Sequence, residues 1–191
     1  MTVVHHSHLL LGGARSGKSR HALEQARQAG GSVAFLATAR AVDGDMAARI
    51  ARHRAERPTG WATIEEPHDV PAAGRRAARS HDLVVVDCVT VWVSNLMERG
   101  DDDAQVLAAV DDLAKMLRER LLSVILVSNE VGQGVHPPTE LGRRFRDLLG
   151  VVNQRLAAAA DRVTLMVAAL PLTVKDTPPP SPPHDRSHEA P

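Results

Sequence analysis

Gly12-Gly13-Ala14-Arg15-Ser16-Gly17-Lys18-Ser19 is the most informative stretch of this sequence. It fits the pattern G-x-x-x-x-G-K-[ST], follows an apolar run at His8 to Leu11 and precedes a helical pattern, the context its chemistry requires. Glycines there let backbone N–H groups turn inward around phosphates, and the start of the following helix adds the positive end of its dipole. Lys18 reaches the outer phosphates and Ser19 offers a hydroxyl to Mg²⁺. Gly12 through Ser19 are therefore candidate nucleotide-binding residues, with Lys18 a candidate catalytic group and Ser19 a candidate metal ligand.

Outward from this loop, strand-sized apolar runs alternate with longer helical patterns. Runs at His8 to Leu11, Ser32 to Ala37, Asp82 to Asp87, Ser123 to Ser128 and Arg162 to Ala168 are rich in Val and Leu and continuous rather than alternating. That is the signature of parallel strands buried on both faces. Between them Val106, Val110, Leu113, Leu117 and Leu121 keep helical spacing. Leu141, Phe145, Leu148, Leu149, Val152 and Leu156 do the same after Pro138 and Thr139. Strands alternating with helices predict an α/β domain around a mostly parallel sheet, with ligands beyond the carboxyl ends of the strands.

The run Leu83-Val84-Val85-Val86-Asp87 ends in an acid. Beside a phosphate-binding loop, such an Asp holds the metal or its water shell, so Asp87 is a second candidate metal ligand. Cys88, next in line, reads as a small buried hydrophobe rather than a nucleophile. A third strand end, Val127-Ser128-Asn129-Glu130-Val131-Gly132, lacks the N-K-x-D pattern with which small GTPases read guanine. By itself it reads as a strand followed by a Gly/Pro loop.

From Asp43 to Pro58 (DGDMAARIARHRAERP) a helix is expected, with Met46, Ile50, His53 and Arg57 on one face at about 100° per residue. Pro58 disfavours helix at Arg57, which puts His53 in or near the last turn. Two roles stand open for His53. A neutral imidazole is a good nucleophile toward phosphorus; a histidine at a helix C-terminus is also favoured simply by the dipole.

Composition bounds the partners. The chain has 191 residues, with 23 Lys+Arg balancing 23 Asp+Glu, and two Trp, two Phe and no Tyr. Neutral charge argues against binding DNA or RNA through the phosphate backbone, because that affinity comes from basic residues releasing counterions. Scarce aromatics remove the stacking platform of single-strand binders. Only three of the basic residues are lysines: Lys18, Lys115 and Lys175. One cysteine cannot form an internal disulfide, the N-terminus does not read as a secretory signal, and no apolar stretch approaches the roughly 18 residues of a membrane span. A soluble, cytoplasmic protein is expected, with one domain over 1–175 and a disordered Pro-rich tail over 176–191.

With these residues assembled, the chain resembles the bifunctional adenosylcobinamide kinase and adenosylcobinamide-phosphate guanylyltransferase family of cobalamin biosynthesis. The resemblance runs from Leu9 to Lys175. It is carried by GGARSGKSRHAL (Gly12 to Leu23), FLATA (Phe35 to Ala39), DMAARIARHRAERPTGWATIEEP (Asp45 to Pro67), DCVTVWVSNLM (Asp87 to Met97), SNEVGQGVHP (Ser128 to Pro137) and FRDLLGVVNQRLAAAAD (Phe145 to Asp161). It implies a RecA-like P-loop fold, usually trimeric, and two reactions. ATP or GTP phosphorylates the hydroxyl of the aminopropanol arm of adenosylcobinamide; GMP then passes from GTP to that phosphate through a GMP-histidine intermediate, releasing pyrophosphate.

Carried over by position, the resemblance makes His53 the catalytic histidine. It assigns nucleotide binding to Gly12 through Ser19, Ala37, Thr38, Ala39, Arg54, Ala55, Glu56, Arg57, Glu65 and Asp87. Arg54 and Arg57 would neutralise phosphate charge, and Glu65 would accept from guanine N–H groups in place of the absent N-K-x-D. Some relatives carry Glu where this chain has Asp87, so the charge is preserved and the reach to a metal is shorter. Two other classes remain compatible with the residues alone: a P-loop kinase for another small molecule with His53 structural, and a non-catalytic nucleotide-binding switch.

Overall fold

The computed structural model describes residues 5–40, 54–55 and 57–177. Seven strands form one sheet: β1 (Ser7–Gly12), β2 (Val33–Ala37), β3 (Ala62–Glu65), β4 (Leu83–Asp87), β5 (Ser123–Val127), β6 (Arg162–Val167) and β7 (Leu170–Asp176). Their spatial order is β3-β2-β4-β5-β1-β6-β7. Every neighbouring pair is parallel except β6 and β7, which form an antiparallel hairpin. The helices are α1 (Lys18–Ala29), α2 (Val70–Ala77), α3 (Val89–Arg99), α4 (Asp103–Glu119) and α5 (Glu140–Ala159).

Continuous apolar strands bury both faces, as expected. Leu9, Leu36, Val84, Val86 and Leu126 pack with Trp92, Val110, Leu113, Leu149 and Leu156 of α3, α4 and α5. Their neighbours Leu10, Phe35, Val85, Ile125 and Val127 point the other way, against Ala22, Leu23 and Ala26 of α1. Each fully buried Val or Leu contributes about 1.5–3 kcal/mol relative to exposure, so the α/β sandwich is over-determined by its strands. Trp92 is wholly buried, and its Nε1 donates to the His68 carbonyl at 2.6 Å.

The starts of α4 and α5 follow capping chemistry. The Asp102 carboxylate accepts from the Gln105 N–H while Gln105 returns a bond to the Asp102 N–H, a reciprocal box opening α4. Thr139 caps α5 through the Gly142 N–H. The apolar rows expected in these helices are buried at Val106, Val110, Leu113 and Leu117, and at Leu148, Leu149, Val152 and Leu156. Leu121 and Leu141 lie outside them, 49% and 64% exposed. For Leu121 the reason is local: the helix ends at Arg120 in a left-handed conformation.

Strands β3 and β7 have no counterpart among the continuous apolar runs. Both are edge strands: β3 alternates half-buried Ala62 and Ile64 with exposed Thr63 and Glu65, and β7 exposes Leu170, Leu172 and Val174. The stretch from Val163 to Val174 is thus two strands joined by a turn at Ala168 and Ala169, both with positive φ. β7 continues to Asp176, one residue past the expected domain boundary. The helix expected over Asp43 to Pro58 falls largely outside the described residues.

A buried polar chain ties β1 to α1 and β6. His8, 8% exposed, bonds the Gln25 side chain through Nδ1 and the Thr164 hydroxyl through Nε2, both at 2.8 Å, and Gln25 reaches on to His21 at 3.1 Å. Burial, with the Arg162 and His21 charges behind it, lowers the His8 pKa from 6.5 to about 4. In the unfolded chain His8 takes up its proton near pH 6.5; in the fold it stays neutral until about pH 4. Its contribution to stability is therefore full above pH 6.5 and is lost as pH falls toward 4. By pH 5 the loss is about 2 kcal/mol. Urea unfolding at pH 7 and pH 5 checks this: His8→Gln is expected to be less pH-sensitive than wild type by that amount, and equal sensitivity would refute it.

Candidate active site

The strand register gathers the carboxyl ends into one row. Glu65 pairs with Ala37, Ala37 with Asp87, Asp87 with Val127 and Val127 with Leu10. The ladder continues past the strand ends. Glu66 N–H donates to Ala37 O at 3.0 Å, Thr38 N–H to Asp87 O at 3.3 Å, Ser128 N–H to Leu10 O at 2.9 Å and Glu130 N–H to Gly12 O at 3.0 Å. The loops that carry the candidate residues are stitched to one another, with Asp87 two strands from the phosphate-binding loop.

That loop has the backbone its glycines predict. Gly12 and Gly17 have φ of 150° and 95°, and Arg15 also lies in the left-handed region at 57°. A Cβ on Gly12 would meet the Met166 carbonyl oxygen at 2.6 Å, so the loop leaves the sheet in direct contact with β6. The β6–β7 turn then closes against the loop: Ala169 N–H donates to Ser16 O at 3.0 Å. A Cβ on Gly17 would lie 3.2 Å from Ala169 Cα and Cβ. Gly17→Ala is expected to lower stability by about 1–3 kcal/mol, from the left-handed backbone and this close approach. Gly13→Ala meets nothing within 4 Å and should leave stability unchanged. Thermal unfolding of the two variants, with and without GTP, checks the contrast; equal melting shifts would contradict it.

Lys18 is 6% exposed at the mouth of the loop. Its Nζ donates to the carbonyls of Gly12 at 2.8 Å and Gly13 at 2.7 Å, with the Ser16 hydroxyl at 3.4 Å. A buried ammonium held by the loop's own carbonyls is fixed in place within the loop. Ser19 stands in the first turn of α1 and Asp87 at the end of β4, both half-buried. Among the described residues no group of three His, Cys, Asp or Glu could hold a metal. Two hard oxygen side chains without an all-protein cage suit Mg²⁺, which keeps waters and phosphate oxygens in its shell.

Around Asp87 the support is rigid. The wholly buried Thr38 accepts from Cys88 N–H and donates to Cys88 O, each at 2.9 Å, across a cis Asp87–Cys88 peptide bond. Asn95 Nδ2 donates to the carbonyls of Thr38 and Pro67. Burial, and then the Asp87 charge, push the Cys88 thiol up to about 11, so it is a protonated packing group.

Arg54, Ala55, Arg57 and Glu65 also lie at this edge. Arg54 pairs with Glu65 at 3.2 Å, both side chains more than half exposed. The Arg57 guanidinium sits 3.5 Å over the Phe35 ring, a cation–π contact, and Nη1 reaches the Thr63 hydroxyl at 3.3 Å. Its Nε is buried without a hydrogen-bond partner among the described residues. Burial lowers the Arg57 pKa, and the nearby Asp87 carboxylate opposes that shift. Ala37 ends β2 and Thr38 and Ala39 follow it at the same edge, and His53 and Glu56 lie outside the described residues.

The site's far wall was not legible from the sequence. A buried network joins Ser128 Oγ to Asn153 Oδ1 at 2.7 Å, Asn153 Nδ2 to Asn129 O at 3.0 Å, and Asn129 N–H to Thr90 Oγ1 at 2.7 Å. It clamps segment 128–130, the apparent Gly/Pro-loop entrance, onto α3 and α5. The signal was present as polar residues immediately after an apolar strand, but the partners are 24 to 39 positions away.

Comparisons with known proteins bear on the family and the fold. Residues 8–174 match the family described as cobinamide kinase / cobinamide phosphate guanyltransferase. The chain is 45% identical over 170 residues to the bifunctional adenosylcobalamin biosynthesis protein CobP of Pseudomonas aeruginosa, covering 89% of this chain and 98% of the relative. It is 38% and 39% identical over 179 residues to the bifunctional adenosylcobalamin biosynthesis proteins CobU of Escherichia coli K12 and Salmonella typhimurium, covering 87% of this chain and 98% of each relative. Among solved structures it superposes on a prototypical ATPase of the type III secretion system of pathogenic bacteria, with a TM-score of 0.56, 14% identity and 85% of this chain covered. The assembled ATPase EscN of enteropathogenic E. coli gives a TM-score of 0.57, 13% identity and 86% coverage. The chain spans about half the length of those ATPases, 51% and 43%, and the likeness is one of fold. It fits a RecA-like α/β P-loop domain. Among the described residues no helix is long and apolar enough to cross a membrane.

Proposed function

This chain belongs to the cobinamide kinase / cobinamide phosphate guanylyltransferase family, and from that premise we propose how its residues divide two consecutive transfers. It is a bifunctional enzyme of cobalamin biosynthesis: a cobinamide kinase and a cobinamide phosphate guanylyltransferase, acting on nucleoside triphosphates. The observation that carries the division of labour is the Lys18 ammonium, buried against the Gly12 and Gly13 carbonyls on the same sheet edge as Asp87.

In the kinase step the loop Gly12 through Ser19 holds the phosphates of ATP or GTP, and Lys18 stabilises charge on the outer ones as the γ-phosphoryl leaves. Ser19 and Asp87 would hold Mg²⁺, which would supply positive charge against the negative charge developing on the phosphates. The acceptor is the hydroxyl of adenosylcobinamide's aminopropanol arm. Arg57, whose Nε has no hydrogen-bond partner among the described residues and whose charge the nearby Asp87 carboxylate favours, would meet phosphate oxygens, with Arg54, Ala55, Glu56, Glu65 and residues 37–39 completing the nucleotide's surroundings.

In the guanylyl step a ring nitrogen of His53 attacks the α-phosphorus of GTP. The P–N bond forms, the α–β bridging bond breaks and pyrophosphate leaves. A phosphate oxygen of adenosylcobinamide phosphate then attacks the same phosphorus and displaces the imidazole. The working protein is a cytoplasmic homotrimer on the same reading. Incubation with adenosylcobinamide, Mg²⁺ and GTP tests the whole assignment: cobinamide phosphate and then its GDP adduct are expected. GTP hydrolysis with unmodified corrinoid would overturn it.

A further inference from the structure

We propose that Glu130 is the general base of the kinase step, an inference that rests on the bifunctional reading above. The two acceptors differ in one respect that decides the need for a base. The acceptor hydroxyl must lose a proton as it becomes a phosphate ester, whereas the phosphate that accepts GMP has an oxygen already ionised. A base therefore serves one reaction and not the other.

Among the described residues four carboxylates lie at or within three positions of the carboxyl ends of the parallel strands, Glu65, Glu66, Asp87 and Glu130, and the first three are committed. Glu65 pairs with Arg54. Glu66 accepts from the N–H groups of His68 and Asp69 and pairs with Arg76. Asp87 is the proposed metal ligand. Glu130 is half-buried; its Oε1 accepts from Gly132 N–H at 2.8 Å, and its Oε2 has no hydrogen-bond partner among the described residues.

Position points the same way. The Gly12 carbonyl that receives the Lys18 ammonium at 2.8 Å also receives the Glu130 N–H at 3.0 Å. The Glu130 backbone and the Lys18 ammonium thus share one acceptor, which fixes the residue bearing this carboxylate beside the phosphate-binding loop. Asn129, just before it, is clamped on both sides of its backbone by Thr90 and Asn153. A base must be held to a fraction of an ångström, and a loop entrance pinned to two helices and the phosphate-binding loop provides that.

The step balances as follows. The hydroxyl oxygen forms a bond to the γ-phosphorus, the bond from that phosphorus to the bridging oxygen breaks, and the nucleoside diphosphate leaves with the electron pair. The hydroxyl proton passes to Glu130 Oε2 and then to water after product departs.

Glu130→Gln discriminates base from scaffold, because the amide oxygen still accepts from Gly132 N–H while the proton-accepting carboxylate is gone. The expected kinase kcat falls about 100-fold, the low end for general-base catalysis. Guanylyl transfer to supplied adenosylcobinamide phosphate stays within about twofold of wild type, and the acid limb of the kinase pH profile disappears. Glu130→Asp, which keeps a carboxylate, is expected to retain that limb and more activity than Gln. A wild-type kinase rate in Glu130→Gln, or equal loss of both reactions, would overturn the proposal. Failure of the bifunctional reading is separate: wild type would then leave the corrinoid unmodified.

Discussion

Lys18→Ala is expected to cost both activities about 10²–10³-fold in kcat, the effect of deleting one preorganised charge from a phosphoryl-transfer site. The ammonium is buried and held by two loop carbonyls, so its position is set before nucleotide arrives and little reorganisation accompanies the reaction. Alanine removes the charge and leaves the Gly12 and Gly13 carbonyls without this donor, so looser nucleotide binding should accompany the slower chemistry. Lys18→Arg is not expected to rescue: a planar guanidinium cannot occupy the small space between those carbonyls as a compact ammonium does. Steady-state rates of each step, measured separately with adenosylcobinamide and with its phosphate, check this. Loss of both activities would follow from one nucleotide site serving both transfers; loss of the kinase alone would refute a role for Lys18 in the guanylyl step.

His53→Ala should separate the reactions in the other direction. Guanylyl transfer falls to background, because without the imidazole no P–N intermediate can form. The kinase step, which passes through no covalent enzyme species, remains within about twofold. GTP labelled at the α-phosphate should mark wild type in an acid-labile bond on the peptide containing His53 and leave the variant unlabelled. Equal labelling of the variant would refute the assignment. Together with Glu130→Gln, this gives two single substitutions that each silence one half of a bifunctional enzyme, a pattern no general loss of folding reproduces.

Much of the fold was legible because its signals are local. Five buried strands announce themselves as unbroken Val and Leu runs, and the phosphate-binding loop as glycines at the positions where the backbone takes φ values of 150° and 95°. Asp87 was legible as an acid ending such a run. Strands β3 and β7 were not: an edge strand buries one face or less, so its apolar residues form no continuous run. The turn between β6 and β7 uses Ala168 and Ala169 at positive φ, where glycine or asparagine would have signalled a hairpin.

For the site, identity and arrangement divide cleanly. The sequence alone determined the residue types available: a glycine-rich loop with its lysine, two hard-oxygen side chains, and the motif set that marks the family. Short-range backbone preference and residue type suffice for that. Only the tertiary structure decided which groups meet. Glu130 bonds Gly12 across 118 positions, and Ala169 bonds Ser16 across 153. Arg57 lies over Phe35, and Ser128, Asn129 and Asn153 form one buried network. Such contacts depend on strand order and register, which place β5 between β4 and β1 and bring its loop against the phosphate-binding loop. No local pattern encodes that order; it follows from how all the apolar faces are buried together.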